Sequence, residues 1–393
     1  MKVAEDKLSI NKKNLKDALS FKEPEKVPIG IEVAMWPYAY AGTSYAQVKE
    51  DPKTAASEYV KFLDDISIDY MWGPAGITKP IDSFGELGSD SFLIGSDGNS
   101  IVHAQTNEMP MEEGEYEEFI KDPPTYWREI LLRKRLPAFQ GSYEEAYLAF
   151  VKALNAFRPF HETNKLIGDA LTDRGIYPLT HNGPHYSVPL DTLFDQVRGM
   201  KNTLLDLRRR PEVVKRACDK IFEMDMANMK EKPSDYADKD DLFCGVTVYH
   251  SACFLNPNQF DDMFMHYLKK GFMKFFEAGV HMFLKGEGKF LHTLNRYRDL
   301  PKGAMVIMLE EDDPFECHQE IGDWATLATG ITADLLKYGS KQQCIDYVKK
   351  CFDTFAPGGG FIFMQDRPLM GAKDANLDNL IAVYEFANAY GKK

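Results

Sequence analysis

Eight runs of five to eight mostly apolar residues, each bounded by turn formers, punctuate the chain at 27–34, 66–72, 176–181, 244–250, 280–284, 304–309, 325–329 and 360–364. Their length and lack of polar alternation predict strands buried on both faces. Between most of them the period changes to that of amphipathic helices, at 191–209, 211–229, 258–278, 315–322 and 340–354. Alternating strand and helix signals predict parallel βαβ units. Eight strands predict an α/β fold closed into a single (β/α)8 TIM barrel domain over 1–393, where an open doubly wound sheet would be expected to stop at fewer. The punctuation agrees: Pro211 suits a first helical turn, Ser340 after Gly339 suits an N-cap, and Pro357 with three following glycines breaks the chain before the last run.

Residues 75–166 interrupt this rhythm, being too long for a connection between the second and third strands. Asp97-Gly98 lies between the short apolar runs at 94 and 101–102, which predicts a hairpin. The glutamate-rich stretch 112–121 is most simply a solvated face, and 143–154 has a helical pattern. The segment is expected to be an inserted lid or subdomain at the catalytic end of the barrel; an independent domain of ~90 residues also falls within domain size limits.

Composition changes this picture little. With 393 residues, 44% hydrophobic and 27% charged, the chain can bury a large core. The formal charge of -13 argues against a nucleic-acid partner and against a polybasic membrane surface. No run approaches the roughly 20 apolar residues of a membrane-spanning helix. Residues 1–14 are polar and lysine-rich, unlike a secretory signal. The six cysteines form neither a CxxC pair nor a tight framework, so reduced thiols in a cytoplasmic protein are expected. A homodimer stays open.

In an α/β barrel the chemistry gathers at the C-terminal ends of the strands. There the chain offers Trp36, Tyr38 and Tyr40 after the first run, Trp72 after the second, and His181, Asn182 and His185 after the third. Tyr249 and His250 end the fourth, Lys285 and Glu287 the fifth, Glu310 to Asp313 the sixth, and Gln365 to Arg367 the last. Alternation puts His281, Phe283, Lys285 and Glu287 on one side if the strand stays extended through Gly286. A surface Lys/Glu pair in an ordinary loop is the plain alternative. Glu287, His250 and Lys285 are the candidates for catalysis, since carboxylates, imidazoles and buried ammonium groups move protons near neutrality. Trp36, Tyr38, Trp72, His181, Asn182, His185, Tyr249, Glu310 and Arg367 are the candidates to line the substrate pocket, although the aromatics also suit a core and the histidines a loop. There is no GxSxG elbow, Walker A sequence or dinucleotide fingerprint, and Cys317-His318 lacks zinc spacing.

Further residues carry a family resemblance. Gly330-Ile331-Thr332-Ala333-Asp334-Leu335-Leu336, Gly339-Ser340 before a helix, Gly358-Gly359-Gly360-Phe361-Ile362, Asn379-Leu380 and Tyr390-Gly391 resemble the C-terminal third of the uroporphyrinogen decarboxylase superfamily. The stretch 260–279 and Leu300-Pro301-Lys302-Gly303 agree. The similarity is strongest over 240–393 and weaker from 27 to 74. It implies a (β/α)8 barrel and either decarboxylation or methyl transfer to a corrinoid.

Decarboxylating relatives hold a polyanion with N-terminal arginines, whereas residues 33–42 contain none. Thiol-methylating relatives carry His-x-Cys after the fifth strand and a distant Cys near the last, to hold zinc. Lys285-Gly286-Glu287 and Gly358-Gly359-Gly360 stand there instead. The resemblance therefore implies the branch that demethylates small donors, most simply methoxyaromatics, by transfer to the corrinoid (cobalamin) of a partner corrinoid-binding protein. Zinc held without a cysteine motif stays open, and no metal ligands are assigned. The rivals are a decarboxylase of a small cyclic or tetrapyrrole-like acid, with Arg367 or His181 holding the carboxylate, and a non-catalytic binding barrel.

Overall fold

The computed structural model describes residues 2–72, 80–103, 111–179, 186–228, 243–277, 281–371 and 373–392. All eight expected strands are present: β1 (Gly30–Ile31), β2 (Tyr70–Trp72), β5 (Tyr177–Leu179), β6 (Phe243–Tyr249), β7 (His281–Gly286), β8 (Met305–Leu309), β9 (Thr326–Ile331) and β10 (Phe361–Gln365). Between the second and third of them lies the expected hairpin, β3 (Phe92–Ile94) and β4 (Ile101–His103), antiparallel around Asp97-Gly98. Gly98 has φ +72°, the left-handed conformation such a turn asks of glycine.

The eight long-range strands pair in parallel as β1-β2-β5 and β10-β9-β8-β7-β6, and parallel bridges at Ile29–Phe363 and Val33–Leu369 set β1 beside β10. Among the described residues no pairing joins β5 to β6. The array curls strongly. β7 and β1 stand four strand spacings apart, about 19 Å in a flat sheet, yet their side chains meet. Trp72 of β2 likewise lies 3.8 Å, centroid to centroid, from Phe283 of β7.

Strand parity sorts the core into layers. Tyr70, Trp72, Leu179, Phe283, Val306, Met308, Ala328, Ile362 and Met364 pack together inside the curl. Met282 and Leu284, one residue out of phase with Phe283, pack with the helices outside. The helix Lys2–Leu19 adds Leu15, Ala18 and Leu19 to the inner cluster, and Ala18 accepts the Gly360 N–H at 2.8 Å. That end is thus plugged, and the opposite end, where the strands finish, carries the polar groups.

Within the interrupting segment the helix Tyr143–Thr172 runs 30 residues, well beyond the expected 143–154. Ser142 caps it, its side chain accepting the Glu145 N–H, and the helix packs against Pro52–Tyr59 and Ile81–Glu86 before leading into β5. Asn99 ties the hairpin to the loop after β1, accepting the Tyr45 N–H at 2.9 Å and donating to the Thr43 carbonyl. Cys218, Cys253, Cys317, Cys344 and Cys351 are free thiols, and no helix among the described residues is long and apolar enough to cross a membrane.

Candidate active site

Lys285 is the next inward-facing residue after Phe283, so β7 carries it from the apolar interior to the polar end. Its Nζ lies 2.9 Å from Glu32 Oε1, one residue past β1. Both side chains are nearly buried, at 11% and 9% exposure. Gln365 donates to the Glu32 carbonyl oxygen, and Tyr384 donates to the Gly30 carbonyl at 2.9 Å, so the backbone under Glu32 is fixed from β10 and the last helix. Glu32 Oε2 is buried and has no hydrogen-bond partner among the described residues. Burial raises the Glu32 pKa; Lys285 opposes the shift, and the charges of Glu287 and Glu310 add to it.

Beyond Lys285, Gly286 ends the strand and Gly288 turns the chain at φ +93°, where an added Cβ would sit 2.9 Å from Cys253 Sγ. Glu287, held between the two glycines, meets His250 just past β6. His250 Nε2 is 3.0 Å from Glu287 Oε2, and its Nδ1 is 2.8 Å from Asp195 Oδ2. The backbone is anchored as well, with Asp191 Oδ1 accepting the N–H groups of His250 at 3.1 Å and Ser251 at 2.7 Å. Pro189 starts the short helix Pro189–Asp191, which carries Asp191, and the helical turn Thr192–Val197 that continues it carries Asp195.

The electrostatics follow from this clamp. Burial disfavours the imidazolium, but hydrogen bonds to Asp195 and Glu287 and their charges outweigh it and push the His250 pKa up to about 10. Below that pH both ring nitrogens carry protons and both donate. Burial, aided by the Asp195 charge and opposed by the Ser251 hydrogen bonds, pushes Asp191 up to about 7.

A second acidic rim lies over β8 and β10. Glu310, one residue past β8, is raised by burial first and by Glu287 second, against the pull of Arg367. Arg367 Nε stands 3.8 Å from Glu310 and 3.7 Å from Asp366, and it is buried without a hydrogen-bond partner among the described residues. Asp366 accepts the Ala333 N–H at 2.9 Å, and burial pushes it up to about 6. His250 and Glu287 remain 35% and 42% exposed, so this end is reachable from solvent.

Of the residues expected from the sequence, the structure brings Lys285, Glu287, His250, Glu310 and Arg367 to one strand end, with Trp72 beneath them. Trp36, Tyr38 and Tyr249 lie elsewhere. Trp36 and Tyr38 pack with Tyr45, Tyr59 and Phe62 in the layer outside β1 and β2, because the chain turns into the helix Trp36–Tyr40 directly after the strand. Tyr249 is one residue out of phase with His250 and points into the outer layer against Phe264 and Met282. His181, Asn182 and His185 lie outside the described residues. Glu32, Asp191 and Asp195 are additions that the sequence does not predict. Among the described residues, no three His, Cys, Asp or Glu side chains converge as a metal-binding group.

A sequence model of the uroporphyrinogen decarboxylase (URO-D) family matches residues 189–388, just over half of the chain. The chain belongs to the uroporphyrinogen decarboxylase family. Asp191, Asp195, His250, Lys285, Glu287, Glu310 and Arg367 all fall within the matched stretch, and Glu32 precedes it. Among solved structures, a methyltransferase from Methanosarcina mazei is similar over 97% of this chain and 98% of its own, with TM-score 0.57 and 14% identity. At that identity the likeness speaks for the fold alone, a mixed α/β fold with parallel sheets. No curated protein matches the chain.

Proposed function

We propose that this URO-D family member is a methyltransferase that takes the methyl group of a small methoxyaromatic ether and passes it to the Co(I) corrinoid of a partner protein. The observation that carries this reading is the His250 clamp. An ether methyl leaves only if the oxygen keeps the bonding electron pair and then gains a proton. The phenolate so formed has a proton affinity near pKa ~10, and His250, held at about 10 between Asp195 and Glu287, matches it. At neutral pH His250 therefore holds its proton and can act as the general acid toward the departing oxygen.

In this mechanism the corrinoid, when its carrier docks, supplies the nucleophile that takes the methyl group. The chain does the rest. Trp72 and Phe283 pack edge to face and close the apolar interior beneath the polar end, where a small apolar substrate would rest. Lys285, kept in place by Glu32, adds positive charge near the departing oxygen. The proton on Nε2 of His250, shared with Glu287, passes to that oxygen, and Asp195 stabilises the ring orientation throughout. The open rim at His250 and Glu287 fits a corrinoid brought from outside. The described residues do not offer a zinc ligand set, and no step here uses one. This reading also takes the curled array to close as a (β/α)8 barrel, with 75–166 as its lid or subdomain.

One observation favours a second reading. Arg367 Nε makes no hydrogen bond among the described residues, with the carboxylates of Glu310 and Asp366 at 3.8 and 3.7 Å, which leaves the guanidinium able to turn to a substrate carboxylate and suits a decarboxylase of a small cyclic acid. Chromatography of reaction mixtures separates the two. Appearance of the free phenol only when reduced corrinoid protein is present supports methyl transfer. Carbon dioxide release from a carboxylic acid without that protein supports the lyase and overturns the first reading.

A further inference from the structure

The inner face of the strand array changes character within one layer. Tyr70, Trp72, Phe283, Met308 and Met364 belong to the apolar layer inside the curl. Side chains alternate along a strand, so the next inward residues are Lys285, Glu310 and Asp366, with Glu32 two residues beyond Gly30 of β1. The ladder stays extended that far. Glu310 donates its N–H to the Gly286 carbonyl at 3.3 Å, Asp366 donates to the Ile331 carbonyl at 3.0 Å, and the Glu32 carbonyl accepts from Leu369 at 3.1 Å. Glu32, Glu310 and Asp366 therefore share one layer with Lys285, and Arg367 stands beside the last two acids. Carboxyl groups outnumber cations there. Glu32 shows the shortfall, because Lys285 takes Oε1 while Oε2 is buried without a hydrogen-bond partner among the described residues.

We propose that this layer binds the protonated amino group of the methyl donor, with an ammonium N–H on Glu32 Oε2 and the charge shared by Glu310. The inference rests on the methyl-transfer reading and narrows its donor to a methoxyaromatic amine. A buried carboxylate oxygen without a partner asks for a hydrogen-bond donor, and a cationic one also balances the layer. A metal ion would need several ligands converging on one point, and among the described residues no three His, Cys, Asp or Glu side chains do so. Topology separates the two ends of such a molecule. Glu310, Asp366 and Glu32 follow β8, β10 and β1, whereas His250 follows β6 at the far edge of the five-stranded ladder, so ammonium and ether oxygen meet different walls. A carboxylate donor fits worse, since drawing Arg367 toward it would leave Glu310 and Asp366 without their neighbouring cation. Burial raises the pKa of Glu32 and of Glu310, and neighbouring carboxylates add to both shifts. A bound ammonium favours the charged forms and so releases protons.

Calorimetric titration of the full chain at neutral pH, with no corrinoid protein present, tests this with para-methoxybenzylamine, para-methoxybenzyl alcohol and para-methoxybenzoate. The amine should bind about tenfold or more tighter than the alcohol, and the benzoate more weakly than either. The heat of amine binding should change with the ionisation enthalpy of the buffer, as released protons require. Glu32→Gln should erase the preference for the amine while the alcohol still binds, and Glu310→Gln, which leaves the Lys285 pair intact, should reduce it. Equal affinity for amine and alcohol, tighter binding of the benzoate, or no binding of the amine overturns the proposal. An amine that binds as expected but yields no methylated corrinoid upholds it and fails the methyl-transfer reading; preferred binding and demethylation of the benzoate does the reverse.

Discussion

Lys285 Nζ lies 2.9 Å from Glu32 Oε1 although three strands separate β7 from β1 in the sheet. The pair crosses the interior, not the sheet edge, and it joins the part of the chain matched by the family to the part that precedes it. Breaking one half strands the other. Lys285→Met should cost about 3–5 kcal/mol, the usual penalty for leaving a buried charge without its partner. Glu32→Gln combined with Lys285→Met should cost less than Lys285→Met alone, as read from urea unfolding of the three proteins.

The His250 clamp predicts a pH-dependent stability. Its folded pKa, about 10, lies above the ordinary value of 6.5. A raised pKa means that the folded state binds the proton more tightly, so the stabilisation is complete below pH 6.5 and is lost as pH rises through about 10. Asp195→Asn removes one of the two carboxylates and should shrink that loss. Melting temperatures followed from pH 6 to 10 check it; identical curves for both proteins would count against the clamp.

Asp191 predicts the opposite experiment. Its carboxyl is pushed up to about 7 from 3.8, so the fold binds this proton more tightly than the unfolded chain, and stability falls as pH rises from about 4 to 7. Asp191→Asn keeps an oxygen for the His250 and Ser251 N–H groups and carries no charge. It should match or exceed the parent in stability at pH 8, and the fall between pH 4 and 7 should flatten in unfolding curves.

How much of this is legible in the sequence depends on where each residue sits. Parallel strands buried on both faces read as unbroken apolar runs, which is why all eight appear, and the hairpin announces itself through Asp97-Gly98. Strand lengths are not legible: the run 27–34 contributes only Gly30–Ile31 to a ladder, since a ladder needs a neighbouring strand in register and hydrophobicity alone does not supply one. The helix Lys2–Leu19 escapes a reading by apolar pattern because its composition is polar and only its last turns are buried. At the site, Lys285, Glu287, His250, Glu310 and Arg367 stand out as polar groups ending apolar runs. Glu32 carries a signal, an acid inside the run 27–34, that the aromatics just after it mask. Asp191 and Asp195 start a helix, where acids are common for local reasons, so nothing marks them.

Tyr38 separates a core residue from a substrate wall. Its hydroxyl is fully buried without a partner among the described residues. Tyr38→Phe removes a polar group left unpaired, so stability should hold or rise by about 1 kcal/mol, and KM for any substrate should not change. A clear rise in KM would restore Tyr38 to the pocket.

In the proposed methyl transfer, the proton held between His250 and Glu287 goes to the oxygen that leaves its methyl group on cobalt. Stopped-flow absorbance of a reduced corrinoid protein, mixed with this protein and a methoxyaromatic donor, follows that transfer in a single turnover. Conversion of the Co(I) spectrum to the methylated form is expected, slowed by about 10²-fold or more in Glu287→Gln and His250→Gln, with release of one phenol per cobalt. Unchanged rates in both variants, or a Co(I) spectrum that persists across the methoxyaromatic series, would contradict it.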